Sequence, residues 1–487
     1  MLNPYSCNRF IKVNSRRDFL EKSSYGFGSI ALSYLLNSRS VLGSTSFPRE
    51  RNPLAPKSPQ FPAKAKSVIF IFLQGGPSQV DTFDPKPELA KLDGQLLPAS
   101  FREGMLGLAQ IKAEEAKLMG SRRAFSRYGS SGLEMSDLFQ NLANYADDLA
   151  IIRSCYHESF VHGPALGIIH TGTIRLGYPS MGAWVLYGLG SETQNLPSYI
   201  VMADSFMRNG KAAIGSGFLP ALYQATVVAT EGVPLENLNP PPQIDAPSQM
   251  AILEQLKSWN LRHLEERSDD TALAARINNF ELAFRMQTEG PELIDIGREP
   301  VHVRKMYGMD TEPTAKFGRI CLLARRMVER GVRFVHLYNS DWDGHSENDR
   351  LHQLNAAKTD LPIAGLLGDL KQRGLLESTL VVCVGEFGRT PMMQGKEGRD
   401  HNPYGFTAWL AGGGIKGGKV IGATDAIGFR AVEDKVHAND LHAAMLTLLG
   451  LDHKKLNVQI SGLEKRLTGV GSDGEFGVEV AKRLLQS

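Results

Sequence analysis

The sequence predicts an α/β protein built on a mostly parallel sheet with helices on both of its faces. Short runs of apolar, β-branched residues are typical of strands buried on both faces of a sheet, and they predict strands at residues 68–73, 149–153, 332–338 and 380–384. Apolar residues spaced three and four apart predict helices at residues 316–330, 355–373 and 439–449. Alternating strands and helices indicate parallel strands joined by crossover helices.

The composition is that of an ordinary globular protein without a strongly charged surface. The chain has 487 residues, 54 basic and 52 acidic, with 42% apolar residues. These values exclude a largely disordered chain, and a net charge of +2 argues against a nucleic-acid partner. Four cysteines are too few for a disulfide scaffold. The predicted strands are scattered along the chain, which favours one large domain.

The first 46 residues predict an export signal. Arg16 and Arg17 precede an 11-residue, mildly apolar stretch at 26–36, which is too short to span a bilayer of about 30 Å. The arginine pair resembles a twin-arginine signal, which implies a folded protein sent to the periplasm or outside the cell, with no stable membrane span. The alternative is a basic amphipathic N-terminal helix. Cys7 lies in the part that would be removed.

The remaining chain divides into a linker and one domain. Residues 47–66 contain five prolines and predict a tether. Residues 67–487 form the predicted domain, with a helical flank near 248–308. A glycine-rich stretch at 412–419 lacks the residues of a phosphate-binding loop and is interpreted as a hairpin that joins two strands.

Candidate ligands follow two of the predicted strands, where the sites of such sheets form. Asp341 and His345 come after the strand at 332–338, and a helical turn or tight loop would direct both toward one ion. Carboxylate and imidazole together suit Zn²⁺, Mn²⁺ or a similar divalent ion. Glu386 follows the strand at 380–384, and an unpaired buried Glu is costly. A salt bridge to Arg389 is the alternative explanation of Glu386.

Further polar residues stand in nearby loops. Asp400 and His401 form an adjacent carboxylate–imidazole pair, unless Asp400 only caps a turn. Asp81 follows the first strand and is favoured over Asp84, which is placed to cap a helix.

Two histidines precede a predicted helix that begins at Pro164. His157 and His162 lie at this helix N-terminus, which attracts anions, so either imidazole is placed to ligate, attack or protonate a phosphate-like group. His170, inside the same helix, is interpreted as a packing residue.

Six segments together resemble the domain of unknown function 1501 family. They are FIFLQGGPSQVDTFDP (70–85), HGPALGIIHTG (162–172), CLLARRMVERGVRF (321–334), WDGH (342–345), GEFGRTP (385–391) and GRDH (398–401). The resemblance covers about residues 67–485. It implies an exported, sulfatase-like protein with the fold of the alkaline phosphatase and sulfatase superfamily.

The resemblance also implies a site for one or two divalent ions. The superfamily uses a D-x-x-x-H motif after a middle strand, an acid–histidine pair after a later strand, and a following histidine. The first strand ends in Gln74 where the superfamily has an acid, and Phe387 stands in the place of one imidazole. The implied ligands of a Zn²⁺, Mn²⁺, Ca²⁺ or Mg²⁺ ion are Asp341, His345, Glu386 and His401, with Asp81 and Asp400 as further candidates.

His162 occupies the position of the sulfatase nucleophile when Pro164 and the Thr171–Gly172 pair are aligned. No formylglycine precursor, serine or threonine stands there, which counts against true sulfatase activity. The resemblance therefore implies a metal-dependent hydrolase of phosphate or sulfate esters, acting on a small molecule or a polysaccharide. The predicted catalytic residues are His162 or His157 for attack or proton transfer, and Arg389 or Arg399 for holding the anion. The alternative is a non-catalytic binding or surface-complex protein on the same fold.

Overall fold

A central nine-stranded sheet organises the molecule. The computed structural model describes residues 53–486 except 103–113, 209, 231–243, 266–270 and 470–472, so the predicted signal lies outside the described residues. The strands are β1 Ser67–Leu73, β2 Leu149–Tyr156, β3 Tyr199–Ala203, β4 Thr226–Val227, β5 Phe334–Asn339, β6 Thr379–Val384, β7 Phe406–Gly412, β8 Lys419–Ile421 and β9 Val436–His437.

The sheet is mostly parallel, as the sequence predicts. Its order is β8-β2-β7-β6-β1-β5-β3-β4, and β9 also pairs with β2. Strand β7 is antiparallel to both of its neighbours, while every other pair is parallel. The predicted hairpin at 412–419 is wrong, because β7 and β8 lie on opposite sides of β2 and do not pair with each other.

Helices cover both faces of the sheet. The longer ones are α1 His162–Thr171, α2 Met181–Leu189, α3 Ala246–Glu265, α4 Thr271–Ile294, α5 Ala315–Glu329, α6 Asn348–Gln372, α7 Ala438–Leu448 and α8 Gly477–Leu485. Helices α3 and α4 fall in the region where a helical flank is expected. None of the helices in the described part of the chain is long and apolar enough to cross a membrane.

Alternate residues of β1 point into two separate cores. Ile69 and Ile71 pack with residues of α5 and α6, whereas Phe70 and Phe72 pack with residues of α1, α2, α7 and α8. A strand that is apolar on both faces must be covered on both faces, which explains the continuous apolar run in the sequence. Cys155, Cys321 and Cys383 are buried as free thiols.

A tight turn after β1 brings three loops together. Gly75 and Gly76 have φ angles of +117° and +82°, which favour glycine. A Cβ on Gly75 would lie 2.5 Å from the backbone nitrogen of Asp343, and one on Gly76 would lie 2.8 Å from the carbonyl oxygen of Phe387. Glycine at both positions therefore lets the loops that follow β5 and β6 close on the end of β1.

Candidate metal centre

Four side chains converge beyond the carboxyl ends of the parallel strands. They are His162, Asp343, His345 and His401, and one ligand atom of each lies within 4.8 Å of the others. His162 opens α1, Asp343 and His345 follow β5, and His401 lies in the Gly398–Asn402 strand of a ribbon that follows β6. We call these four residues the cluster.

Asp343 is the only carboxylate of the cluster and contacts all three imidazoles. Its Oδ2 atom lies 3.0 Å from Nε2 of His162, and its Oδ1 atom lies 3.1 Å from Nε2 of His345 and 3.5 Å from Nε2 of His401. Burial raises the pKa of Asp343, but hydrogen bonds from the three histidines and the charge of Arg389 outweigh it and hold the pKa well below its usual range. Asp343 is therefore a carboxylate at any physiological pH.

The partners of His345 and His401 fix which of their nitrogens carry the proton. Nδ1 of His345 lies 2.6 Å from Oε1 of Gln394, and Nδ1 of His401 lies 2.8 Å from the carbonyl oxygen of Phe160. Both partners are acceptors, so each Nδ1 donates; Nε2 carries a lone pair when the ring is neutral and donates toward Asp343 only when the ring is protonated. The two Nε2 atoms face each other at 2.9 Å. Two lone pairs at this distance repel each other unless a proton or a metal ion lies between them.

His162 has the same arrangement with a carboxylate behind it. Its Nδ1 atom lies 2.6 Å from Oε1 of Glu386, and its Nε2 atom faces Asp343. Glu386 is fully buried, and both of its oxygens accept from the backbone N–H of Gly75 at 3.0 Å. A histidine that binds a metal through one nitrogen usually donates the other N–H to a carboxylate or carbonyl oxygen. Glu386 is thus placed behind His162, outside the four residues of the cluster.

The charges around the cluster also set its proton affinity. Burial lowers the pKa of His162, but hydrogen bonds to Asp343 and Glu386 outweigh it and raise the pKa above the ordinary value. The hydrogen bond to Asp343 is the main cause of a raised pKa at His345. Burial lowers the pKa of His401. A cation that binds here therefore competes with protons on His162 and His345.

Arg389 lies beneath the cluster with its guanidinium directed into the protein. It is fully buried; Nη2 lies 2.7 Å from Oδ1 of Asp343 and also donates to the carbonyl oxygen of Gly75, and Nε donates to the carbonyl oxygen of Gly76 at 2.9 Å. Nη1 donates to the carbonyl oxygen of Arg399 at 3.2 Å. The predicted role of Arg389 in holding a substrate anion does not fit this placement, because its donors are used within the protein.

Asp341 is not brought to the cluster, and Asp343 is there instead. The Asp341 side chain is 65% exposed and lies 3.8 Å from Nζ of Lys358. Of the two expected conformations, the helical turn does not form; the segment is a tight loop in which the N–H groups of Gly344 and His345 donate to the carbonyl oxygens two residues before them. Asp343 and His345 therefore lie together in the cluster, whereas Asp341, whose φ angle of +77° turns the chain at that residue, lies outside it.

Two other predicted carboxylate ligands have structural partners. Asp81 forms a buried ion pair with Arg399, whose Nε lies 2.8 Å from Oδ2 of Asp81. Asp400 accepts a hydrogen bond at 2.8 Å from the backbone N–H of His401 and lies outside the cluster. Arg399 is likewise buried, so the structure offers neither Arg399 nor Asp81 to a substrate.

His157 lies behind Glu386 and outside the cluster. Its Nδ1 atom accepts from the N–H of Ser159 at 3.1 Å, so Nε2 donates to the carbonyl oxygen of Glu386, 2.5 Å away. Burial lowers the pKa of His157 to about 4. This neutral, fully bonded imidazole holds the Glu386 backbone and does not reach the cluster. His170 is packed in the core, where Nε2 meets the hydroxyl of Tyr338 at 2.9 Å.

The chain is similar to several solved structures at low identity. The PsFucS1 sulfatase from Pseudoalteromonas sp. is 12% identical, with 87% of this chain and 71% of that chain covered and a TM-score of 0.33. A protein in the alkaline phosphatase superfamily from Vibrio parahaemolyticus is 11% identical, with 88% and 76% covered and a TM-score of 0.34. The phosphonate monoester hydrolase SpPMH from Silicibacter pomeroyi is 12% identical, with 79% and 73% covered and a TM-score of 0.34.

No curated protein matches the chain. Residues 65–475 match a family described as protein of unknown function, DUF1501. This match spans most of the 487 residues and agrees with the resemblance found in the sequence. The chain therefore belongs to the DUF1501 family.

Proposed function

We propose that the protein is an exported, metal-dependent hydrolase of phosphate or sulfate esters whose divalent ion is held by the cluster. The observation that carries the proposal is the pair of Nε2 atoms of His345 and His401, 2.9 Å apart beside the carboxylate of Asp343. These atoms are all acceptors when the rings are neutral, and either a proton on a ring or a bound cation relieves their repulsion. Export rests on the basic and apolar segments of the first 46 residues.

The donor set favours Zn²⁺ or Mn²⁺ within the four ions implied by the sequence. Three imidazoles and one carboxylate suit these ions, whereas Ca²⁺ and Mg²⁺ prefer sites built of oxygen atoms. A bound divalent ion would polarise an ester oxygen and activate water.

Groups around the cluster prepare its ligands. Glu386 holds the proton of His162 on Nδ1 and leaves Nε2 directed toward Asp343. Arg389 fixes the Asp343 carboxylate from below through Oδ1. Because a buried guanidinium already faces this carboxylate, a second dication on the same side would meet strong repulsion. We therefore propose one divalent ion per chain.

The alternative function is a binding protein that retains the fold and the ion. It is favoured by the lack of a nucleophilic side chain, because the cluster contains neither a hydroxyl nor a thiol. His162 stands at the position that aligns with the nucleophile of sulfatases. On the proposed function, attack on the ester comes from water and not from a side chain. Metal content and hydrolysis together separate the two functions.

The first experiment measures divalent metal in the purified full-length chain by mass spectrometry. We expect about one ion per chain, and loss of most of it in His345→Ala and in Asp343→Asn because each substitution removes a ligand. Asp341→Asn is the matched control, since this exposed carboxylate is two residues away from Asp343 and should leave the metal content unchanged. Unchanged metal in His345→Ala would contradict the site.

The second experiment tests hydrolysis by the Zn²⁺- or Mn²⁺-loaded protein. Aryl phosphates, phosphodiesters and aryl sulfates are the substrates, and His345→Ala is the inactive reference. Hydrolysis by the wild type that is lost in His345→Ala and retained in Asp341→Asn supports the enzyme. Stoichiometric metal without hydrolysis of any of these esters would favour the binding protein.

A further inference from the structure

A second arginine reaches the cluster from the solvent side. Arg208 lies in the loop after β3, and its Nη2 atom lies 3.1 Å from Oδ2 of Asp343. Its side chain is 40% exposed. Among the described residues, this is the one hydrogen bond of its guanidinium, so most of its N–H donors are open to solvent. Arg208 thus combines contact with the cluster and free donors.

The other two arginines near the cluster cannot offer such donors. Arg389 and Arg399 are fully buried, and each spends its donors on backbone carbonyls and carboxylates. Of these three arginines, only Arg208 therefore offers donors to an anion that approaches the cluster from solvent. Guanidinium groups bind tetrahedral oxyanions through paired N–H donors, which an arginine with open donors can supply.

Gln74 holds the backbone on which Arg208 stands. This buried side chain accepts from the N–H of Arg208 at 2.7 Å through Oε1 and donates to the carbonyl oxygen of Phe206 at 3.0 Å through Nε2. Nε2 also lies 3.3 Å from Oγ of Ser340. Both ends of the amide are used, so Gln74 connects the end of β1 to the loop after β3 and to the residues after β5. An acid at this position would lack the donor that holds Phe206.

We infer that Arg208 binds the tetrahedral oxyanion of the substrate beside the cluster, and that Gln74 is the positioning residue that holds it there. This inference rests on the proposed function, since it assigns the anion-binding group of the same site. It replaces the predicted roles of Arg389 and Arg399. The ligand chemistry is a phosphate or sulfate group, whether free or esterified.

Anion binding without turnover tests the role of Arg208. Inorganic phosphate and inorganic sulfate are each titrated into the metal-saturated full-length protein, and calorimetry measures the binding affinity. Because a hydrogen bond to a charged group is worth roughly tenfold to 100-fold in affinity, Arg208→Gln should weaken binding of at least one anion by about that factor. Arg208→Lys should recover part of the affinity, since an ammonium keeps the charge but loses the paired donors.

The control is Arg127→Gln. Arg127 also faces a carboxylate, that of Glu134, but its side chain is 79% exposed and it lies in a distant part of the sequence. Arg127→Gln should bind the anions as the wild type does, and all variants should keep their metal. Unchanged anion affinity in Arg208→Gln, or no affinity in the wild type, would overturn the inference. Loss of metal in Arg208→Gln would also overturn it, because Arg208 would then only position Asp343.

The proposed function can fail separately. If the wild type holds no metal, the proposed function is contradicted, and the comparison of Arg208→Gln with wild type in the metal-free protein decides the inference about the arginine.

A double substitution tests the role of Gln74. Gln74→Leu should weaken anion binding about threefold to tenfold, because the loop is no longer held by a hydrogen bond at each end of the amide. In an Arg208→Gln background it should have no further effect on anion binding, since the group it positions is gone. A purely structural role would give additive losses, and additive losses would overturn the assignment of Gln74.

Discussion

The Nε2 atoms of His345 and His401 lie 2.9 Å apart and share the carboxylate of Asp343 as their nearest acid. Each ring is turned to this position by an acceptor on its far side, the amide of Gln394 or the carbonyl oxygen of Phe160. The surrounding loops therefore help to impose this geometry. Each outer partner should contribute to metal affinity, because it orients a ligand.

Gln394→Leu tests the contribution of the outer partner of His345. It removes the acceptor that keeps the proton on Nδ1, so the ring is free to place its proton on Nε2 and to rotate. We expect metal affinity to fall by about tenfold to 100-fold, the range usual for such partners. The measurement is competition with a chelator that reports the free ion.

Gln353→Leu is the matched control for this substitution. Gln353 is an exposed glutamine on α6 that donates to Asp349. Its loss should leave metal affinity unchanged. Equal affinities in Gln394→Leu and wild type would mean that the orientation of His345 does not depend on its amide partner.

Metal affinity should fall as the pH is lowered. The pKa values of His162 and His345 are raised in the metal-free protein. Burial lowers the pKa of His162, but Asp343 and Glu386 outweigh burial and raise it. The pKa of His345 is raised chiefly by Asp343. An ion binds only the deprotonated rings, so its binding releases protons below these raised pKa values. We expect an affinity that is level at alkaline pH and falls by up to about tenfold per pH unit for each protonated ring.

The same chelator competition, made between pH 8.5 and 5.5, measures this dependence. In Glu386→Gln the charge that helps to raise the pKa of His162 is removed, so the fall should begin at a lower pH. A pH-independent affinity in the wild type would contradict the assignment of histidines as ligands.

Four of the nine strands could be predicted from the sequence, because strands buried on both faces leave continuous apolar runs. The observed β1, β5 and β6 differ from the predicted ranges by at most two residues at either end. The family could also be predicted, because six segments of the sequence resemble its motifs. His345 and His401 could be predicted for the same reason, since they end two of these segments, WDGH and GRDH.

The choice of Asp343 over Asp341 could not be made from spacing alone. An interval of four residues implies a helical turn, and the segment after β5 is not helical. The contacts of Arg208 and Gln394 with the cluster could not be predicted from the sequence, because these residues come from distant loops that meet only in the folded protein.

Asp81 should matter for stability and not for metal binding. It is buried against Arg399, whose Nε and Nη2 atoms lie 2.8 and 3.3 Å from its two oxygens. Removing one partner of a buried ion pair leaves the other charge without compensation, so Asp81→Asn should lower the free energy of unfolding by roughly 3–5 kcal/mol. The measurements are urea unfolding and metal content, and the metal content should not change.

Glu88→Gln is the control for that prediction, because Glu88 pairs with Lys91 at the surface and such pairs contribute about 0–1 kcal/mol.

The stability that Asp81 contributes also depends on pH. Burial raises its pKa, but Arg399, His352 and Ser78 outweigh burial and lower it to about 2. The stability that Asp81 contributes is therefore complete above its ordinary pKa of 3.8 and is lost as the pH falls toward 2. Loss of metal in a folded Asp81→Asn protein would restore Asp81 as a ligand.

Buried neutral histidines should make the fold less stable between pH 6.5 and 4. His352 is the clearest case: its Nδ1 atom donates to the carbonyl oxygen of Asn348 and its Nε2 atom accepts from the N–H of Ser78, both at 2.8 Å. Burial is the main cause of its pKa of about 4. The unfolded chain binds a proton at about pH 6.5, so lowering the pH from 6.5 to 4 favours unfolding by up to about 1.4 kcal/mol per pH unit for this residue.

Urea unfolding of wild type and His352→Gln at several pH values between 7.5 and 4.5 measures this effect. The variant should lose stability at pH 7.5, because the two hydrogen bonds are not both replaced, but its stability should fall less steeply toward pH 4.5 because one proton fewer is taken up on unfolding. His302→Gln, which changes an exposed histidine, should keep the slope of the wild type. The decisive quantity is the slope of the free energy of unfolding against pH. Any core substitution lowers the stability itself, whereas only the loss of a buried neutral imidazole lowers the proton uptake on unfolding. Equal slopes in wild type and His352→Gln would show that His352 is protonated in the folded protein, and its bond from Ser78 could not then exist.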